Sequence, residues 1–145
     1  MRELLYLKDE QLKQFIEKIF IGYQASFSDA KRTLENHSIG IAHHKVIHLI
    51  SSYKGITISG LLKKLKVTKQ SLNRVLKDLK RLDLIYYEKG KNDSRVKKVY
   101  LNDKGNKVFD EIFKIQKKII EKAFLKSSSE EVLFFENVLK KIINE

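Results

Sequence analysis

VTKQSLNRVLKDLKRLDLIYYEKGKNDSRVKKVYL, Val67 to Leu101, changes its period halfway along. Up to Leu82, leucine and valine recur at three- and four-residue steps, the mark of one face of an α-helix. From Leu84 on, strand-like segments of about Leu84 to Lys89 and Val96 to Leu101 flank Gly90, Lys91, Asn92 and Asp93, the chemistry of a hairpin tip. A helix dense in lysine and arginine is thus followed at once by a basic hairpin. On a wheel of about 100° per residue, Leu72, Val75, Leu76 and Leu79 share the face that must turn inward. Gln70, Arg74, Lys77 and Arg81 point the other way, with Lys69 and Asn73 on the flank. The outward face is almost entirely made of hydrogen-bond donors.

Working towards the N-terminus, Thr68 is placed to cap this helix, and Thr57 to cap a shorter one with Leu61, Leu62 and Leu65 inward. Lys66 and Val67 connect the two, so the pair forms a helix-turn-helix candidate. A further helix runs from about Ile41 to Ser52, with His43, Val46, Ile47 and Ile50 on one side. Before it, apolar residues from Leu12 to Phe27 predict one long amphipathic helix from Asp9 to about Glu35, broken by Asn36, His37, Ser38 and Gly40. Towards the C-terminus, Asn102 can cap a long helix carrying Val108, Ile112, Ile115 and Ile119, and Ser128 with Glu131 forms a capping box for the last one. The terminal helices are apolar enough to need a partner beyond the central unit.

The charge is segregated. The chain of 145 residues has a net charge of +12, and Lys54 to Gly105 holds 15 Lys/Arg against 5 Asp/Glu, a net of +10. Such concentration suits a surface that meets a polyanion, although a solvated basic face is the plainer alternative. An apolar fraction of 42% indicates a globular chain. The absence of cysteine removes disulfides, thiolate catalysis and cysteine-bound zinc. No apolar run approaches a membrane span, and the opening MRELLYLKDEQ meets charge too soon for a signal peptide, so a cytoplasmic protein without membrane association is expected. No phosphate loop, nucleophile elbow or spaced carboxylate pair occurs, so no catalytic residues, no cofactor and no enzyme activity are expected.

Arg and Gln or Asn can each make paired hydrogen bonds to base edges in a major groove, Arg to guanine and the amides to adenine. Residues in the first turns of a recognition helix lie deepest, which selects Gln70, Asn73 and Arg74 as base readers and leaves Lys69, Lys77 and Arg81 for phosphates. The hairpin, with Lys89, Lys91, Arg95, Lys97 and Lys98, can lie along a backbone and push one cation into a minor groove. Arg95 suits that place, because a guanidinium is weakly hydrated. Asp93, two residues earlier, can hold the Arg95 side chain by a paired hydrogen bond.

The chain resembles the MarR family of winged helix-turn-helix regulators. The residues that carry the likeness are Gly55-x-Thr57-x-Ser59-x-Leu61, Val67-Thr68-Lys69-Gln70-Ser71, Arg74-x-Leu76-x-x-Leu79, Leu84-Ile85, Asp93-x-Arg95 and Leu101-x-x-x-Gly105. The resemblance implies a mainly α (α+β) fold, a single MarR-type domain over 1–145. Within it a winged helix-turn-helix lobe spans 41–102, and helical dimerisation regions span 1–36 and 103–145. It further implies a homodimer reading double-stranded DNA as a pseudo-palindrome, most often as a repressor, through Lys69, Gln70, Ser71, Asn73, Arg74, Lys77, Lys91, Asp93 and Arg95. Many members release DNA when a small ligand binds; a small aromatic effector could contact Tyr23, Phe27, His44 or Tyr53, although core and dimer contact is the plainer reading of these four. Three positions depart from the pattern: Ser94 stands where a second Arg is common, Asn102 replaces Thr, and Lys54 replaces Pro. Ser94 leaves one cation fewer at the hairpin tip.

His37, His43, His44 and His48 invite a metal reading, but no carboxylate lies at helical spacing with them. His43, on the apolar face, is expected to be a hydrogen-bonded core histidine, and no metal is expected. Two alternatives stay open beside the sequence-specific regulator. A non-specific architectural DNA binder would need the same charge; a helical protein-interaction module would use the long apolar helices.

Overall fold

The computed structural model describes residues 4–145. The first three residues of the opening stretch, and of the region expected over 1–36, lie outside the described residues. The order of elements is α1 (Asp9–Phe27), α2 (Lys31–Asn36), α3 (Ile41–Ser52), α4 (Ile58–Leu65), α5 (Lys69–Arg81), β1 (Ile85–Lys89), β2 (Lys97–Leu101), α6 (Asp103–Leu125) and α7 (Ser129–Ile142). Two compact units emerge: the chain through Ala30 with Lys114–Glu145, and Lys31–Phe113.

The long helix expected from Asp9 to Glu35 is two helices. α1 stops at Phe27, a 3-10 turn covers Ser28–Ala30, and α2 starts at Lys31. The Ser26 and Ser28 hydroxyls donate to the carbonyl oxygens of Tyr23 and Ala25 at 2.6 and 2.9 Å. Such local bonding bends or ends a helix. Apolar spacing carries through the break, because a short 3-10 turn shifts the helical phase by only a fraction of a turn.

The unit Lys31–Phe113 is built on side chains that are fully buried: Ile47 of α3, Leu61 of α4, Leu72 and Leu79 of α5, Val99 of β2 and Ile112 of α6. Each contributes roughly 1.5–3 kcal/mol by leaving water. β1 and β2 pair antiparallel with Ile85 opposite Leu101 and Tyr87 opposite Val99. Period-two geometry turns Ile85, Val99 and Leu101 inward, while Tyr86 and Tyr100 stack outside with ring centroids 5.3 Å apart. The Val99 N–H also donates to the Ile56 carbonyl at 2.9 Å, which ties the ribbon to the segment before α4.

The capping hydroxyls and amide stand where the sequence predicts, although Ser128 and Glu131 make only the serine half of the expected capping box. Thr57 Oγ1 accepts from the Gly60 N–H, Thr68 Oγ1 from Ser71, Asn102 Oδ1 from Gly105 and Ser128 Oγ from Glu131, at 2.8–3.1 Å. Between α4 and α5 the turn is made by Lys66, which adopts the left-handed conformation at φ 53°. Gly105 is required by a close approach, since a Cβ there would collide with the Leu84 carbonyl oxygen.

In the other unit, the apolar faces lack cover. Leu12, Phe15, Ile16, Ile19 and Phe20 on α1 are 40–61% exposed, and Leu133, Phe134, Phe135, Val138 and Ile142 on α7 are 52–63% exposed. Among the described residues of α7 none is buried.

Candidate nucleic-acid interface

Three leucines of α5, Leu72, Leu76 and Leu79, are buried and Val75 is half-buried, which fixes the opposite face towards solvent. Lys69, Gln70, Asn73, Arg74 and Lys77 are exposed on it. Ser71 is exposed as well, but its hydroxyl is bound into the cap: Thr68 donates to Ser71 Oγ at 2.9 Å while the Ser71 N–H donates to Thr68 Oγ1. Arg81 is 75% exposed and rests on Asp78 Oδ1 at 3.2 Å, so part of its charge is answered within the helix.

The hairpin tip is closed by the Gly90 N–H donating to Val96 C=O at 2.8 Å and the Val96 N–H donating to Asp93 C=O at 3.1 Å. Lys91 and Arg95 are exposed there. Asp93 holds Arg95 by the paired hydrogen bond: Oδ1 accepts Nε at 3.1 Å, Oδ2 accepts Nη2 at 3.3 Å, and Oδ1 also accepts the Arg95 backbone N–H at 2.9 Å. The Arg95 side-chain bonds, and then its backbone bond, pull the Asp93 carboxyl below the usual carboxylate range. Arg95 remains 90% exposed, a cation that is aimed and yet free of cover.

Sequence reasoning missed Tyr87. Lys80 Nζ of α5 lies 6.0 Å and Lys97 Nζ of β2 5.7 Å from its ring centroid, so one aromatic meets cations from both the helix and the ribbon. Burial pushes its phenol up from the ordinary value. An aromatic flanked in space by lysines from two elements leaves no local signature.

The histidines require a correction. The buried one is His44, 2% exposed, whereas His43 is half-buried. Burial, and then the neighbouring His48, lower His44 to about 4. Helical spacing gives an angle about the axis but not the depth beneath other elements, so His43 at the first turn reaches past the core. His43 Nε2 donates to Asp78 Oδ2 at 3.0 Å, and His37 Nε2 to Glu111 Oε2 at 2.6 Å. Among the described residues no group of three or more His, Cys, Asp or Glu is placed to hold a metal ion. Of the side chains considered for an effector, Tyr23 and Phe27 meet edge to face at 4.9 Å in one unit. In the other, Tyr53 lies under Lys64 Nζ at 4.1 Å.

A capped helix presenting donors, preceded by a short helix and followed by a basic ribbon, defines a winged helix-turn-helix protein. Residues 37–96 match the family model described as MarR family. The HTH-type transcriptional regulator PetP of Rhodobacter capsulatus is 36% identical over 141 residues, covering 97% of this chain and 85% of that protein. The chain belongs to the MarR family, whose members are transcriptional regulators and not enzymes. Among solved structures, S. aureus MepR in its DNA-binding conformation aligns with a TM-score of 0.78 at 21% identity over 91% of this chain and 96% of that one. The S. aureus MepR–DNA complex aligns with a TM-score of 0.69 at 21% identity, over 95% and 98%. S. aureus MarR in complex with salicylate and kanamycin gives 0.73 at 20% identity, over 92% and 91%. These structural likenesses establish the fold. Among the described residues no helix is long and apolar enough to cross a membrane.

Proposed function

We propose that the chain is a sequence-specific DNA-binding transcriptional repressor that works as a homodimer in the cytoplasm. The observation that carries this is α5: three leucines hold it against the core while Gln70, Asn73 and Arg74 stand exposed in its first two turns. In that reading these three meet base edges, and Lys69, Ser71 and Lys77 meet phosphates. The wing formed by β1 and β2 carries Lys91 along the backbone and Arg95, held by Asp93, into the adjoining minor groove. The lobe 41–102 is then the DNA-reading part. Residues 1–36 and 103–145 join two copies, a role supported by the exposed apolar faces of α1 and α7. Two copies of α5 about one duplex turn apart would read a pseudo-palindrome. Release by a small aromatic molecule is supported by likeness to a MarR structure that holds salicylate.

The test compares Arg74→Ala with Lys77→Ala on a duplex selected by the protein from random sequence. Arg74→Ala is expected to lose about 1–3 kcal/mol of binding and relax specificity, whereas Lys77→Ala weakens all duplexes alike and lowers the salt slope by about one. Equal, sequence-independent losses from both would leave a non-specific architectural binder, which the net charge of +10 between Lys54 and Gly105 would sustain.

A further inference from the structure

A polar contact fastens α5 to the helix behind it. His43 stands in the first turn of α3, where its Nδ1 accepts the Gly40 N–H at 3.1 Å while its Nε2 lies 3.0 Å from Asp78 Oδ2. A ring nitrogen that accepts an N–H holds a lone pair, so the proton sits on Nε2 and is donated to the carboxylate. The imidazole is therefore fixed at both nitrogens, to backbone on one side and to α5 on the other. Asp78 is the one acidic residue in α5, a single turn beyond Arg74 on the same flank. Its carboxyl is held below the usual range, first by the hydrogen bond from His43, with Arg81 and Arg74 adding to the effect against desolvation.

An acid beside a face proposed to meet phosphates opposes binding by its charge, so its presence calls for another role. Burial of Leu72, Leu76 and Leu79 fixes which face of α5 turns inward, but the hydrophobic effect is non-directional and sets the last few degrees of rotation less sharply than a hydrogen bond does. A roll of about 10° moves a side-chain tip about 6 Å from the axis by roughly 1 Å, enough to spoil a hydrogen bond to a base. The bond between His43 and Asp78 is directional and lies off the leucine stripe, so it resists that roll.

We propose that His43 is a positioning residue for DNA recognition: by holding Asp78 it sets the rotation of α5 and thereby where Gln70, Asn73 and Arg74 arrive at base edges. This rests on α5 being the helix that enters the groove. The measurement is the affinity for a duplex enriched by the wild-type protein from a random-sequence pool, divided by the affinity for unselected random duplex. His43→Ala is expected to lower that ratio roughly tenfold, with binding to random duplex and its salt slope unchanged. Asp78→Asn separates positioning from charge: removing an acid strengthens binding to random duplex, yet the enriched duplex is bound more weakly. The double variant is expected to match Asp78→Asn on both duplexes, because once the carboxylate is gone His43 has nothing left to hold. His43→Gln keeps a donor near the Nε2 position and should recover most of the ratio, with thermal midpoints confirming that each variant is folded. A ratio left intact in His43→Ala, or an affinity raised for both duplexes alike in Asp78→Asn, overturns the positioning role. If the wild-type protein enriches no sequence at all, the groove assignment itself fails, and that outcome is distinct.

Discussion

Asp93 lowers the positive charge of the wing and at the same time accepts three hydrogen bonds from Arg95. If charge alone governed binding, removing it would tighten the complex. If aiming the guanidinium matters more, removal weakens the complex, because an untethered arginine must lose rotamer freedom on binding. We expect Asp93→Ala to bind its preferred duplex roughly fivefold more weakly despite the gained positive charge, as measured by fluorescence anisotropy; tighter binding would assign the residue a purely electrostatic effect. The lowered carboxyl value also fixes the pH window. The clamp is fully present above the ordinary carboxylate range and is lost as pH falls through the lowered value, so it operates throughout neutral conditions. The Asp93 and Arg95 pairing was legible beforehand because the partners lie two residues apart; the His44 burial was not, because neighbouring elements cover it.

Both ends of α5 are held as well as its middle. At the start, Thr68 accepts from the Ser71 N–H at 3.1 Å. At the end, Asn102 Nδ2 donates to the Asp83 carbonyl at 2.7 Å, Lys104 Nζ to the Leu82 carbonyl at 3.1 Å, and the Leu84 N–H to the Leu79 carbonyl at 3.0 Å. Asn102 thus serves two helices, capping α6 with its oxygen and closing α5 with its amide. Thr68→Ala should lower stability by about 1 kcal/mol in thermal unfolding, with Thr68→Ser recovering most of it. No change in the midpoint would mean the cap contributes nothing. Caps and the hairpin were readable from spacing because each is settled within about four residues. The break at Ser28–Ala30 escaped because serine is compatible with both helix and turn, and the apolar rhythm continues past it.

For the whole molecule, the exposed apolar faces of α1 and α7 bear on assembly. Monomeric proteins rarely leave such contiguous faces in water. In a two-fold pair every substitution occurs twice across the interface, so one charge is amplified. Phe135→Glu, at a position 52% exposed in the single chain, is expected to yield helical monomers by sedimentation. Affinity for duplex should fall by more than about tenfold as two linked lobes become one. A wild-type chain that already sediments as a monomer would remove the premise.

From Val67 to Leu101 and its flanks, the order of residues was enough for the helices near the ribbon, the capping hydroxyls, the inward leucines and the concentration of cations. Each of these depends on neighbours within a turn or two, or on composition. Folding in three dimensions settled the rest: His43 against Asp78 across 35 residues, His37 against Glu111 across 74, Tyr87 near lysines of two elements, and Gly105 beneath the Leu84 carbonyl. A linear pattern carries direction about an axis but no distance between segments. Partners far apart along the chain are therefore chosen by packing.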